Sequence, residues 1–110
     1  MRFQVEAKRS EAIRISLIDE DNKEKGHAFL FLIKNDLHQK PYSLLEDVFV
    51  EENFRGQGIG KQLVEKAIQE AKNKGCYKII GTSRNAREKV HKFYKHLGFD
   101  QYGVEFRMNL

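Results

Sequence analysis

The 110-residue chain has one cysteine, one proline, no tryptophan and no apolar run longer than the six residues AFLFLI at 28–33. A single thiol, Cys76, excludes an intrachain disulfide, and no second thiol or nearby histidine stands at metal-ligand spacing, so no metal site is expected. Cys76 reads instead as a small buried hydrophobe opening a strand. Six apolar residues fall far short of the roughly 20 that cross a bilayer. The start, MRFQVEAKRSE, has no apolar segment of the kind a secretory signal needs, which makes a cytoplasmic location and no membrane association the expectation. The scarcity of proline, and of glycine outside one stretch, argues against a disordered linker. The length allows one domain, 1–110.

Charge is plentiful but mixed. A formal net charge of +4 and a pI near 9.2 invite a nucleic-acid reading, yet basic residues alternate with acids along most of the chain. The balance tips only late, at Lys72, Lys74, Lys78, Arg84, Arg87, Lys89, Lys92 and Lys95. These read as solvated helix faces, or as a field that draws a small polyanion to one end of the domain. A nucleic-acid partner is not expected.

AIRISLIDEDNKEKGHAFLFLIKN (12–35) predicts an antiparallel hairpin, because β-branched and aromatic runs flank a polar turn. SLLEDVFV (43–50) predicts another strand, apolar everywhere except Glu46 and Asp47 and therefore covered on both faces. From Ile59, the positions Ile59, Leu63, Val64, Ala67, Ile68 and Ala71 form one helix stripe, stopped at Gly75. CYKIIGTS is a further strand, and strand, helix and strand at this spacing give a parallel crossover. A second helix is expected from about Ala86, with Ala86, Val90, Phe93, Tyr94 and Leu97 on one side and Gly98 as its stop. YGVEFRMNL (102–110) is expected to be a last strand.

Glycine is concentrated where it is least expected, at Gly56, Gly58 and Gly60, immediately before and into the first helix. A helix N-terminus carries unpaired N–H groups and partial positive charge, and glycine lets an anion reach the main chain without a Cβ in the way. Arg55 and Lys61 bracket the turn. A P-loop is excluded: it needs glycine where Arg55 stands and Ser or Thr where Gln62 stands. A dinucleotide fingerprint fails too, since its third glycine falls on Lys61 or Leu63. What remains is a phosphate site of another kind.

RGQGIG fits the Arg/Gln-x-x-Gly-x-Gly/Ala signature, and the chain resembles the GCN5-related N-acetyltransferases (GNAT). LLEDVFVEENFRGQGIGKQLVEKAIQEAKNKGCYKII (44–80) is similar to that family's acetyl-CoA-binding core, and VHKFYKHLGF (90–99) to its C-terminal motif. The resemblance implies an α+β sandwich with a mixed, mostly antiparallel sheet and a central parallel strand-helix-strand crossover. It implies acetyl-CoA as co-substrate, with no metal. The pyrophosphate would lie on Arg55, Gly56, Gln57, Gly58, Ile59, Gly60 and Lys61, and the pantetheine arm beside Val48, Phe49 and Val50, where two strands splay apart. Tyr94 matches the tyrosine that assists the departing thiolate, a role suited to a phenol that keeps its proton at neutral pH. Attack requires a neutral amine, so a proton acceptor is expected among Glu46 and Asp47. Adjacent strand residues face opposite ways, so only one can enter the cleft, and Glu46 is preferred.

The departures from the family pattern concern the acceptor. Only about eleven residues precede the first strand, where such domains usually place a strand and two helices as the acceptor wall. That wall is missing or comes from another chain, which admits a homodimer. Arg87 stands where an asparagine is often found. The leading expectation is N-acetyl transfer to a primary amine of a small molecule, peptide or protein lysine, with backbone N–H near Val50 stabilising the oxyanion. The alternative is a non-catalytic acyl-CoA-binding or partner module.

Overall fold

The computed structural model describes residues 1–110. The elements in order are β1 (Ala12–Ile18), β2 (Glu24–Ile33), β3 (Tyr42–Val50), a 3-10 turn (Glu52–Phe54), α1 (Ile59–Asn73), β4 (Ile79–Gly81) and α2 (Glu88–His96). They build one sheet in the order β1-β2-β3-β4, antiparallel across the first three strands and parallel between β3 and β4. The expected hairpin, crossover and mixed sheet are all present.

Local chemistry accounts for the junctions. In the β1–β2 turn the Asp19 carboxylate accepts the N–H groups of Asp21 and Lys23, both at 2.9 Å, and so holds the turn with its own side chain. At the end of α1 the Gly75 N–H donates to Lys72 and the Cys76 N–H to Ala71, a Schellman closure at the expected stop. Gly98 ends α2 in the same manner, with the Phe99 N–H donating to Tyr94. No helix is long and apolar enough to cross a membrane.

The core lies between one face of the sheet and α1. Ile15, Ala28, Leu30, Leu32 and Leu45 alternate inward from the strands, and Ile59, Leu63, Val64, Ala67 and Ala71 meet them from the helix stripe. Buried Ser43 is satisfied across the parallel pair: its hydroxyl and its N–H both donate to the Lys78 carbonyl, at 3.1 and 3.0 Å.

Four expectations are corrected, the first being Cys76, which is half-buried and precedes β4 rather than opening it. β3 is not covered on both faces: Glu46, Asp47 and Phe49 are exposed, because only the α1 side of the sheet carries a helix at that point. Ala86 is exposed and lies outside α2, which begins at Glu88 after a turn in which the Arg87 N–H donates to Arg84. Residues 102–110 form no strand. Their apolar alternation is real, but a strand exists only through a ladder, and this segment has no partner.

Candidate active site

The turn from Arg55 to Lys61 delivers the main chain of α1 to its N-terminus without any side-chain cap. Gly58, the N-cap residue, sits at φ 79° and Gly56 at φ 78°, left-handed values that favour glycine, and no atom lies within 4 Å of where either Cβ would be. No acid stands in the first turn of the helix. The N–H groups and the positive end of the dipole are therefore left for an external anion. Gly60 is different: its φ is ordinary for a helix, and an added Cβ would make only 3.8 Å contacts with Phe93 and Val50. Neither backbone strain nor packing calls for glycine there. Arg55 is partly committed, its Nε donating to the Val50 carbonyl at 3.0 Å and its guanidinium lying 5.7 Å from the Phe49 ring centroid. Lys61 extends along α1 toward Glu65 at 3.8 Å.

Upstream of that turn, β3 changes its facing. The register with β2 shifts between His27 and Phe29: Phe29 pairs with Glu46, but His27 pairs with Phe49, so β3 carries one extra residue. Asp47 sits inside this bulge at φ 50°. The bulge overturns the simple alternation expected for Glu46 and Asp47, since both acids line one open hollow together with Phe29 and Phe31. After the bulge, Val48 and Val50 turn in to the core, and Phe49 is left on the outer face. The two acids are not equivalent. Asp47 accepts from or pairs with His27 Nε2 at 2.8 Å, whereas Glu46 has no hydrogen-bond or ion-pair partner in the chain.

The parallel ladder between β3 and β4 is short. It runs from Ser43 opposite Ile79 to Leu45 opposite Gly81 and then stops, leaving the β4-facing side of Glu46–Val50 without a strand partner. Tyr94 marks the place where it stops. A Cβ on Gly81 would lie 3.3 Å from Tyr94 Cε1 and Cζ, so the ring rests on the glycine. Phe99 meets the same ring edge-on at 5.2 Å and Phe93 lies 5.5 Å away. The Tyr94 hydroxyl has no hydrogen-bond partner within the chain. Burial pushes its pKa above the usual tyrosine range, the Glu46 charge adds to this, and the Arg87 charge opposes it. Glu46 follows Leu45, the residue opposite Gly81 on which the Tyr94 ring rests.

Thus the fold brings Tyr94 and Glu46 to one end of the gap between β3 and β4, and the glycine turn to the far end of β3. Three contributors were not singled out from sequence. His27 holds Asp47, Gly81 seats Tyr94, and Gly26 lets β3 pass close by: a Cβ on Gly26 would stand 2.7 Å from the Phe49 carbonyl oxygen. A glycine inside an otherwise strand-like run was the available signal for Gly26. No group of side chains is arranged to hold a metal ion.

A GNAT acetyltransferase family model matches residues 3–99, and the chain belongs to that family. Among curated relatives, glucosamine 6-phosphate N-acetyltransferase of Trypanosoma brucei brucei is 38% identical over 66 residues, covering 60% of this chain and 43% of the relative. Mouse thialysine N-epsilon-acetyltransferase is 39% identical over 54 residues, covering 49% of this chain and 32% of that protein. A solved acetyltransferase from Trypanosoma brucei superposes with a TM-score of 0.81 at 28% identity, over 90% of this chain and 69% of that one. The chain therefore spans less than half the length of these two curated relatives.

Proposed function

We propose that this chain binds acetyl-CoA and transfers its acetyl group to a primary amine. The observation that carries this reading is the break in the β3–β4 ladder after Leu45 and Gly81, with Tyr94 at its start and the uncapped N-terminus of α1 at the far end of β3. The residues present suit the co-substrate. The N–H groups from Gly56 to Lys61 would hold the pyrophosphate, and the unpaired edge of Val48–Val50 would pair with the amide-bearing arm. Acetyl-CoA supplies an activated thioester carbonyl.

The remaining work falls to the chain. Glu46, unpartnered and exposed beside Phe29, takes up a proton from the incoming ammonium directly or through water. Main-chain N–H near Val50 would face the carbonyl oxygen as charge builds on it. The amine nitrogen bonds to the acyl carbon as the C–S bond breaks; Tyr94, which keeps its proton through neutral pH, gives it to the departing sulfur and is reprotonated through water by the second proton that the nitrogen sheds. Relatives named for glucosamine 6-phosphate and for thialysine make a small-molecule amine a reasonable acceptor, alongside peptide amines and lysine side chains. The test is a thiol-release assay with acetyl-CoA across these amine classes. Release that depends on amine, and falls with Tyr94→Phe, supports transfer. Tight coenzyme binding without release from any amine supports a binding module instead, a reading favoured by the open outer face at Phe29 and Phe31.

A further inference from the structure

Two residues other than glycine have a left-handed backbone. Asn22, at φ 62°, belongs to the β1–β2 turn, and its N–H donates to the Asp19 carbonyl at 3.1 Å. Turn geometry accounts for it. Asp47, at φ 50°, stands inside a strand, in the bulge of β3 directly after Glu46. An aspartate keeps such a conformation in mid-strand only where its surroundings hold it there. The bulge itself follows from the side-chain pattern: Leu45 is buried, Val48 and Val50 pack against the core, and the extra residue lets both acids between them stay outside. That pattern fixes the register but not the form of the bulge, since a bulge residue can be right-handed or left-handed.

What grips Asp47 is His27. Its Nε2 meets Asp47 Oδ2 at 2.8 Å, and because a carboxylate only accepts, Nε2 donates. The His27 side chain is 16% exposed and that of Asp47 62%, so the histidine is the fixed partner. Its own place is well defined. The Phe49 ring lies 5.5 Å away and the Phe29 ring meets it edge-on at 5.9 Å, while the Glu24 carboxylate, itself bound by Arg14, stands 3.6 Å from Nδ1. A line of side chains thus crosses from β1 through β2 and ends on the bulge of β3.

We propose that His27 is a positioning residue for acetyl transfer: by holding Asp47 it selects the left-handed form of the bulge, and with it the place of Glu46 relative to the main chain of Val48–Val50. Peptide units are rigid, so the φ of Asp47 sets the angle between the peptide that follows Glu46 and the one that leads into Val48. One torsion therefore links the proposed proton acceptor to the edge proposed for the coenzyme arm. His27 acts through Asp47 and needs no contact with either substrate. Its effect on turnover rests on the function proposed above, and its hold on the bulge does not.

The test pairs thiol release from acetyl-CoA with NMR at residue 47, where a strong intraresidue amide–Hα contact marks a positive φ. His27→Phe keeps a ring between Phe29 and Phe49 and removes the donor. It is expected to keep the β2–β3 register, to lose the positive-φ signature and to lower turnover by about 10-fold to 10²-fold, the cost of a displacement on the order of 1 Å. Asp47→Ala breaks the same contact from the exposed side, where folding is not at stake, and should lose the same signature. His27→Gln, whose amide N–H stands near the place of Nε2, should retain both the signature and the turnover. Adding Asp47→Gly to His27→Phe should return most of the lost turnover, because glycine takes a positive φ without being held. A histidine that only stabilised the fold would not be rescued in this way. A positive φ that survives in both His27→Phe and Asp47→Ala overturns the proposal, as does native turnover in His27→Phe or a double variant no faster than His27→Phe. If the native chain releases no thiol with any amine, acetyl transfer fails, and the signature at residue 47 still decides whether His27 holds the bulge.

Discussion

Tyr94 is seated by Gly81 and kept protonated by burial, and each condition has a measurable consequence. Tyr94→Phe preserves the ring on the glycine and removes only the hydroxyl. Turnover is expected to fall by about 10²–10⁴-fold, the span of a general acid, with acetyl-CoA affinity unchanged by calorimetry. The proton itself can be followed. A raised pKa means that the folded state favours neutral Tyr94, so its contribution to stability is complete below the ordinary tyrosine value and is lost as pH rises through the raised one. Ultraviolet titration should show one late-ionising tyrosine, absent in Tyr94→Phe. Glu46→Gln should lower turnover steeply at neutral pH and leave coenzyme binding intact; unchanged turnover would remove Glu46 from the proton path. Tyr94 could be proposed from sequence because the residues around it form a motif. Its seat on Gly81 was not, because that contact joins residues of two elements that only the fold brings together.

At the scale of elements, the turn into α1 and the bulge in β3 do different work. Gly60→Ala is diagnostic for the first. An alanine adds only 3.8 Å contacts and should favour the helix by up to about 1 kcal/mol. Thermal stability should therefore hold or rise while acetyl-CoA binding weakens; equal binding would mean that this stretch of main chain does not face the ligand. Gly26→Ala should act in the opposite sense on stability. Its Cβ would collide with the Phe49 carbonyl, and a loss of about 1–3 kcal/mol by denaturant unfolding is expected, with weaker coenzyme binding as the end of β3 shifts.

The hairpin carries an acid-sensitive clasp. Arg14 binds both carboxylate oxygens of Glu24, and with Ser16 nearby this holds the Glu24 pKa down to about 2. The clasp supports β1–β2 above the ordinary carboxyl value and is lost as pH falls from there toward 2. The pair is solvent-accessible, so the effect should be a modest loosening of the β1–β2 turn, seen as faster amide exchange and absent in Glu24→Gln. Hairpin, helices and crossover were readable from period and punctuation. The bulge was not, because it is a property of how β2 and β3 pair, and strict alternation therefore misassigned the facing of Asp47.

For the whole molecule, four strands and two helices give a short GNAT domain, while the outer face at Phe29, Phe31, Glu46 and Asp47 stays open. The family and the mixed sheet could be anticipated because each rests on contiguous sequence, and the site residues on β3, α1 and α2 are proposed from the same stretches. The expected last strand failed, since the alternation from Tyr102 to Leu110 supplies an apolar face but no ladder partner. The most direct test of acetyl transfer is thiol release from acetyl-CoA by the native chain and by Tyr94→Phe, across sugar-phosphate, diamine and lysine-peptide acceptors. Amine-dependent release that is strongly reduced in Tyr94→Phe, at equal coenzyme affinity, is the predicted result. Coenzyme binding with no amine-dependent release, or release indifferent to the loss of the Tyr94 hydroxyl, would contradict it.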